Sequence, residues 1–313
     1  MQLVLFTTTD LRAGRQAEFI RMINSVRAGA GTHVRLKMFA LLQRSNEGDR
    51  TRYQSILPPD SVVLASPERV SLSEARNRLF AVAQKHTVLD EDCVVAFPDD
   101  DCWYPPYFLH RLVASFRRDP RLDMLISRVS LDPVESHAME SSLATAKAWQ
   151  VVRLSSSNGM FFRGATVAAL GDFDCTLGLG TPNGGGEDTE YALRGLLIAR
   201  RAVFVDLPLV GHRESDLASV ARYFKGALAA LSRYALKRPD IWFEFQRKLA
   251  VGAYLVMKSR LPVREYWDSI GNSLRELHGS VRRIGKVAIT SPLPQLGVTA
   301  PSGLSRNITR DVG

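Results

Sequence analysis

The chain has 313 residues, of which 45% are hydrophobic and 23% charged, and it carries a net charge of +9. This composition excludes a disordered chain and allows one large α/β core, alone or with a small appended domain. No run approaches the roughly 18 uncharged apolar residues of a membrane span, and no signal-peptide pattern follows Met1. We therefore expect a cytoplasmic protein, in which the three cysteines are reduced thiols.

Strand-like and helix-like segments alternate from residue 3 to residue 126, which is typical of a mostly parallel sheet with helices on its faces. The predicted strands span residues 3–6, 36–42, 62–65, 93–97 and 124–126, and the predicted helices span residues 16–26, 72–85 and 105–117. Ser71 and Glu74 form a capping-box pattern. The helix at 72–85 should therefore begin just after a strand and carry Arg76 near the edge where strands end.

A second block covers residues 149–212, with predicted strands at 159–162 and 203–205 and a helix at 188–200, and three further helices follow at 217–236, 241–258 and 263–277. Residues 222–286 contain fourteen Lys and Arg but only five Asp and Glu, so this segment has a charge excess of +9, equal to that of the whole chain. We expect three parts: an α/β domain over 1–215, a basic helical extension over 216–286, and a disordered tail over 287–313 that is rich in Ser, Pro, Gly and Thr.

An apolar run at residues 94–97 ends in three consecutive carboxylates, Asp99-Asp100-Asp101. Adjacent carboxylates repel one another, and a bound cation relieves that repulsion. Clustered oxygen ligands suit Mg²⁺ or Mn²⁺, which often bridge protein carboxylates to phosphates. A solvated acidic turn is the alternative for the triplet by itself. Its position favours a site, because ligands of open α/β sheets bind at the carboxyl ends of the strands.

Three other features add to the triplet. The glycines at 184–186 lead into Glu187 and Asp188 at a predicted helix start, where the helix dipole favours an ionised acid that can accept a proton; the alternative is a simple N-terminal cap. Arg76 can pair with a phosphate or with an aspartate, or form a surface ion pair on its helix. His212 follows an apolar segment and can supply imidazole to a metal or be structural.

Together these features resemble the inverting family 2 glycosyltransferases of the GT-A fold. The motifs that carry the resemblance stand in the order and spacing of that family: Ala75-Arg76-Asn77, Asp99-Asp100-Asp101, Gly186-Glu187-Asp188 and His212. The resemblance covers residues 1–215. It implies a nucleotide-sugar donor, a divalent cation (Mn²⁺ or Mg²⁺) and an α/β fold with a mostly parallel sheet.

The resemblance also implies roles for individual residues. Asp188 would be the catalytic base, and Asp101 and His212 the metal ligands. Thr7, Thr9, Arg76, Asp99 and Asp100 would bind the donor, and Glu187, Trp103 and Trp149 would contact the acceptor or the active-site loop. The aromatic rings, with that of Tyr104, offer faces for sugars, or else anchor the core or the loops.

Two segments depart from the family pattern. Thr7-Thr8-Thr9-Asp10 stands where the family often has Pro-Thr-Tyr-Asn, and Gln43-Arg44-Ser45 replaces an acidic residue that reads the nucleotide base. The choice between uridine, thymidine and guanosine donors therefore stays open.

The resemblance implies transfer of a sugar to a hydroxyl of a glycan or lipid-linked acceptor, in synthesis of bacterial surface polysaccharide or glycoconjugate. A metal-dependent nucleotidyltransferase would also explain the aspartates, but would leave Glu187 and Asp188 without a role. A non-catalytic nucleotide-sugar-binding protein would retain the fold without turnover. The basic extension suggests an anionic membrane surface, with peripheral attachment to the cytoplasmic face, or else a solvated basic face of packed helices. It lacks a nucleic-acid-binding signature, so we expect no nucleic-acid partner.

Overall fold

The computed structural model describes the backbone of residues 1–135, 137, 139–213 and 219–290, with side chains over the same residues except 219–222 and 279–290. The strands are β1 (Gln2–Asp10), β2 (Arg35–Gln43), β3 (Val62–Ser66), β4 (Cys93–Ala96), β5 (Leu122–Ser130), β6 (Leu143–Thr145), β7 (Met160–Arg163) and β8 (Arg201–Gly211). The helices are α1 (Gln16–Ala30), α2 (Glu47–Gln54), α3 (Leu72–Ala83), α4 (Phe108–Arg118), α5 (Ala148–Leu154), α6 (Gly164–Leu170), α7 (Glu187–Ile198), α8 (Ser219–Tyr234), α9 (Pro239–Met257) and α10 (Val263–Thr290).

The strands form one sheet in the order β3-β2-β1-β4-β7-β5-β8-β6. Within the group β1, β2, β3 and β4, each pair of neighbouring strands is parallel. In contrast, β7 is antiparallel to both β4 and β5, and β6 is antiparallel to β8. Alternate residues of β1 enter two hydrophobic cores: Val4 and Phe6 pack on one side of the sheet, and Leu3 and Leu5 on the other. The predicted fold class, a mostly parallel sheet flanked by helices, is confirmed.

The carboxyl ends of β1, β2, β3 and β4 meet at one edge of the sheet because these strands are parallel. α3 begins near this edge after Ser71, whose hydroxyl accepts a hydrogen bond from the Glu74 backbone at 3.3 Å. Only this half of the predicted capping box is present, since the Glu74 carboxylate pairs with Arg78 instead. The first turns of α3 therefore carry Arg76 toward the strand ends, as predicted.

The three predicted helices of the basic extension are present as α8, α9 and α10. α8 packs against the start of α7, where Gly226 approaches the glycine loop so closely that a Cβ on it would lie 2.1 Å from the Gly185 carbonyl oxygen. α10 continues past its predicted end at residue 277 to Thr290, and the rest of the predicted tail, 291–313, lies outside the described residues. None of the described helices combines the length and apolarity that a bilayer crossing requires.

Candidate functional site

The acidic turn follows β4 directly, at the edge where the parallel strands end. Asp100 and Asp101 are buried, which excludes a solvated acidic turn. Asp100 accepts a hydrogen bond from Thr9 Oγ1 at 2.8 Å and another from Arg15 Nη1 at 3.2 Å. Because Thr9 lies at the end of β1 and Arg15 in the loop after it, Asp100 ties the acidic turn to the first strand.

Asp101 is surrounded by cationic side chains. Arg213 Nε lies 2.7 Å and Arg15 Nη1 3.6 Å from Asp101 Oδ2, and His212 Nε2 lies 3.1 Å from Oδ1. Burial would raise the pKa of Asp101, but the contact with His212 and the charges of His212, Arg213 and Arg15 outweigh it and lower this pKa. Burial would lower the pKa of His212, but the contact with Asp101 and the nearby carboxylates raise it overall. The Asp101 carboxylate is therefore ionised at neutral pH.

One ligand atom each from Asp99, Asp101 and His212 lies within 4.8 Å of the other two. Although His212 is at ion-pair distance, no donor among the described residues points at the buried Oδ1 of Asp101 with hydrogen-bond geometry. A buried acceptor without a donor is costly unless a ligand approaches it. Carboxylate oxygens suit Mg²⁺ or Mn²⁺, and an imidazole nitrogen favours the softer Mn²⁺. These three residues therefore fit a divalent cation.

Trp103 and Gly211 hold His212 beside the acidic turn. Their backbones exchange two hydrogen bonds, of 2.9 Å from Trp103 N and 2.8 Å from Gly211 N, in an isolated antiparallel bridge. A Cβ on Gly211 would lie 2.0 Å from the Trp103 ring, so only glycine fits there. The Arg21 guanidinium lies 4.4 Å from the centroid of the same ring and donates to the Asp101 carbonyl at 2.9 Å. The Trp103 ring therefore contacts both Gly211 and the Arg21 guanidinium.

The second pair of carboxylates lies at the start of α7. Gly186 precedes the helix with φ +90°, in the left-handed region that favours glycine. Asp188 accepts a hydrogen bond from Arg76 Nη1 at 2.9 Å and another from the Ser157 backbone at 2.8 Å. Glu187 is buried, and burial together with the negative charge of Asp188 raises its pKa to about 8. Glu187 therefore keeps its proton to a higher pH than an ordinary carboxyl group does, and the Asp188 carboxylate has the hydrogen bonds that hold it in place.

Arg76 joins the two carboxylate groups. Its side chain is only 2% exposed, and its guanidinium lies 2.9 Å from Asp188 and 3.4 Å from Asp99. This burial excludes the surface ion pair considered for Arg76. Asp99 also accepts a hydrogen bond from Asn158 Nδ2 at 2.9 Å. Burial raises the pKa of Asp99 to about 6 although Arg76 opposes the shift. One fixed guanidinium thus places residues 99 and 188 in the same cleft.

The other residues predicted for the site are placed as follows. The Thr7 hydroxyl is buried near the end of β1 and has no hydrogen-bond partner among the described residues. Trp149 is the second residue of α5, and the centroid of its ring lies 5.5 Å from the Arg153 guanidinium. Tyr104 is buried and stacks on Phe108 in the core, so of its two predicted alternatives it is an anchor.

The sequence prediction did not include four residues that contact the carboxylates: Arg15, Ser157, Asn158 and Arg213. Of these four residues, only Arg213 could have been found from the sequence, because it directly follows the predicted metal ligand His212. At the base-reading position, Gln43 uses its amide within the protein: Nε2 donates to Thr8 at 2.9 Å and Oε1 accepts from the Val70 backbone at 2.8 Å.

Comparison with known proteins bears on the family and on the fold. Residues 15–170, about half of the chain, match the sequence profile described as "Glycosyl transferase family 2", and this segment contains Arg76 and the acidic turn. No curated protein sequence matches the chain.

Solved structures share the fold at low sequence identity. S. aureus TarS is 15% identical with a TM-score of 0.56, over 79% of this chain and 43% of that one. TarS 1–349 in complex with UDP is 12% identical with a TM-score of 0.51, over 92% of each chain. The mannosyltransferase PcManGT from Pyrobaculum calidifontis, in complex with GDP-Man and Mn²⁺, is 14% identical with a TM-score of 0.55, over 94% of this chain and 76% of that one. This chain thus spans less than half of the longer TarS chain. The shared architecture is the GT-A fold.

Proposed function

This chain is a glycosyltransferase of family 2, and we propose that it transfers a sugar from a nucleotide-sugar donor to an acceptor hydroxyl by a metal-dependent, inverting mechanism. The observation that carries the proposal is the Arg76 bridge between Asp99 and Asp188. It holds a candidate base and a candidate donor site in one cleft. The bound UDP of TarS 1–349 and the GDP-Man and Mn²⁺ of PcManGT support a nucleotide-sugar donor and a divalent cation.

On the donor side, Asp101, His212 and Asp99 would hold the cation, which when bound neutralises the charge that develops on the diphosphate leaving group. The side chains of Arg15 and Arg213 are partly exposed, and their guanidiniums form ion pairs with Asp101. Both guanidiniums can turn to the phosphates of a donor, because phosphate is as good a partner for arginine as carboxylate is.

The remaining donor contacts come from the strand ends. The free hydroxyl of Thr7 at the end of β1 suits a hydrogen bond to the nucleoside. Asp100, held by Thr9 and Arg15, would orient the donor sugar. Arg76 would place the Asp99 carboxylate toward the donor without leaving its buried position.

On the acceptor side, Asp188 would take the proton of the attacking hydroxyl. Its two oxygens accept one hydrogen bond each from Arg76 and Ser157, which leaves further lone pairs for the acceptor. Direct attack opposite the leaving group, with no covalent intermediate, inverts the anomeric configuration. Glu187 next to it has a raised pKa, and in its protonated form it can donate a hydrogen bond to the acceptor or to the loop. Trp103 and Trp149 are the candidate aromatic contacts.

We propose a hydroxyl of a glycan or lipid-linked sugar as the acceptor, in synthesis of bacterial surface polysaccharide or glycoconjugate. The support is the resemblance of the motifs and the basic extension, which packs on the glycine loop before Asp188. A metal-dependent nucleotidyltransferase would release pyrophosphate instead, and a non-catalytic relative would bind the donor without turnover.

The test compares Asp188→Asn with Asp206→Asn, a change of an exposed carboxylate that pairs with Arg128. Uridine, thymidine and guanosine diphosphate sugars are screened with Mn²⁺ by thermal shift, and nucleoside diphosphate release is then measured with the donor that binds. We expect Asp188→Asn to keep donor affinity within a few-fold and to lower turnover by roughly 10²-fold or more, the usual scale for losing a positioned base. Asp206→Asn should change neither.

Three outcomes would contradict the proposal. Release of pyrophosphate would indicate nucleotidyl transfer, and donor binding without turnover in the unaltered protein would indicate a binding protein. A product of retained anomeric configuration, seen by NMR with an α-linked donor, would exclude inversion.

A further inference from the structure

The α9–α10 hairpin exposes an unusual number of large apolar side chains. Almost half of the exposed large hydrophobic residues among the described part of the chain lie between residues 239 and 274. The members on the two helices are Trp242, Phe243, Tyr254, Met257, Val263, Trp267 and Leu274. Soluble surfaces rarely group such residues, so this surface is expected to bind something.

These residues form stripes instead of being scattered. Phe243, Tyr254 and Met257 are spaced by eleven and three positions on α9, so they share one face of that helix. Val263, Trp267 and Leu274 are spaced by four and seven positions and share one face of α10. Met257 at 75% and Trp267 at 63% are among the most exposed. Each stripe extends to the turn between α9 and α10, where Met257 and Val263 are its nearest members.

Three exposed basic side chains, against two exposed acidic ones, lie around this turn. Lys258 lies over the Tyr254 ring, with its amino group 5.8 Å from the ring centroid. Within the described part of the chain, no carboxylate lies at ion-pair distance from Lys258 or Arg260, and Arg264 approaches Asp268 only at 3.9 Å. The surface formed by Tyr254, Met257, Lys258, Arg260, Val263, Arg264 and Trp267 is called here the hairpin tip.

We propose that the hairpin tip docks on an anionic lipid bilayer. Exposed aromatic and aliphatic side chains beside Lys and Arg match the interfacial region, where apolar groups enter the acyl boundary and cations meet the headgroups. Lys258, Arg260 and Arg264 outnumber the exposed Glu265 and Asp268 around the turn, so a second copy of this chain would bring together two surfaces of the same net sign, which like-charge repulsion disfavours. A nucleic acid would leave Met257, Val263 and Leu274 in contact with water. Charge complementarity therefore favours the bilayer.

The hairpin is packed close to the candidate active site. Gly252 of α9 packs on Phe224 of α8 and on Tyr266 of α10, since an added Cβ would lie 2.4 Å from the first and 2.5 Å from the second. The rings of Phe224 and Tyr266 have their centroids 6.1 Å apart. Two residues further along α8, Gly226 contacts the glycine loop that precedes Asp188. Docking would therefore hold the acceptor side near the bilayer surface. This consequence rests on the proposed glycosyl transfer and fits a lipid-linked acceptor.

The test is sedimentation of the full chain with vesicles of phosphatidylcholine alone or of equimolar phosphatidylcholine and phosphatidylglycerol. We expect binding to the anionic vesicles that is at least tenfold stronger than to the neutral ones and that weakens as salt is added. The double variant Met257→Glu with Trp267→Glu should lower the partition coefficient at least tenfold. The matched control is Val88→Glu with Leu131→Glu, which changes two other exposed apolar residues and should leave binding unchanged.

A second variant separates charge from apolar contact. Lys258→Gln with Arg260→Gln should weaken binding to anionic vesicles and reduce its salt dependence, with unchanged thermal unfolding. Failure of the intact protein to sediment with anionic vesicles at low salt would overturn the proposal, as would equal loss in the Val88 and Leu131 control. A dimer in solution that the Met257 and Trp267 changes abolish would instead assign the surface to a second copy.

Donor-dependent nucleoside diphosphate release, measured without vesicles in the same variants, keeps the two proposals apart. Vesicle binding without release would leave the docking surface standing and contradict the enzymatic proposal. Release without vesicle binding would leave the enzymatic proposal standing and contradict the docking surface.

Discussion

The cleft contains two groups of carboxylates that are held in opposite ways. Around Asp101 the cations are partly exposed side chains from loops, Arg15 and Arg213, and the pKa of the carboxyl group is lowered. Around Asp188 the one cation at ion-pair distance within the described part of the chain is the buried Arg76, and the neighbouring Glu187 has a pKa raised to about 8. The first group is charged and surrounded by exchangeable partners, whereas the second is fixed by a partner that cannot leave.

This difference distinguishes cations that can exchange their carboxylate partner for a ligand from a cation that holds its carboxylates in position. Exposed guanidiniums can exchange a carboxylate for a ligand at little cost, because water screens them in either state. A buried guanidinium such as Arg76 cannot be withdrawn without leaving Asp99 and Asp188 as unpaired charges in a low-dielectric site. Under the proposed mechanism, the Asp101 group would take up donor and cation, and the Asp188 group would keep its geometry through the reaction. Four predictions test this contrast.

Removing the fixed cation should have the largest effect. Arg76→Met keeps the volume but leaves Asp99 and Asp188 without their shared partner. We expect the free energy of unfolding at neutral pH to fall by about 3–5 kcal/mol, the usual cost of breaking a buried ion pair by removing one member. Urea unfolding measures this, with Arg78→Met, an exposed arginine on the same helix, as the control. A loss below about 1 kcal/mol would show that Arg76 does not hold the pair.

The raised pKa of Glu187 predicts a pH dependence of stability. Because its folded pKa of about 8 lies above the usual 4.5, the folded state binds the proton more tightly, so this group stabilises the fold at low pH. Its contribution is lost as pH rises between the two values, by about 1.4 kcal/mol for each pH unit. Glu187→Gln should remove this decline. Urea unfolding at pH 5, 6, 7 and 8 gives the slopes, and identical slopes in both proteins would mean that Glu187 is ionised.

The glycine contact tests how the helical extension supports the Asp188 group. Gly226→Ala would drive a methyl group into the Gly185 carbonyl, so we expect about 1–3 kcal/mol of destabilisation together with slower turnover. Gly271→Ala on α10 is the control, because no atom lies within 4 Å of the added Cβ, and it should be stabilising by up to about 1 kcal/mol. Unchanged turnover in Gly226→Ala would show that α8 does not position the loop.

The smallest change in stability is expected for the partly exposed arginines that pair with Asp101. Arg213→Gln removes a partly exposed partner of Asp101, so the free energy of unfolding should change by less than about 1 kcal/mol. Donor affinity, measured by thermal shift with Mn²⁺, should nevertheless fall several-fold if Arg213 turns to the phosphates. Equal donor affinity in both proteins would limit Arg213 to its contact with Asp101.

Several parts of the fold and site were not predictable from the sequence pattern. The segment with α5 and α6, and the short β6, carries too few residues for a periodic signal, and α2 is mostly polar. That β7 inserts between β4 and β5 in antiparallel orientation follows from pairing between distant segments. Ser157 and Asn158 reach the site only because of that insertion, since they stand just before β7.

The sequence by itself determined what is encoded locally: the alternation of strands and helices, the acidic turn after β4, the glycine loop before Asp188 and the basic charge of the extension. Each depends on neighbouring residues and on the rule that parallel strands end at one edge. Only the tertiary structure decided that Arg76 joins residues 23 and 112 positions away, that Arg15 and Arg213 neutralise Asp101, and that Gly226 fits the loop. These contacts depend on long-range packing, which brings together side chains whose spacing along the chain carries no signal.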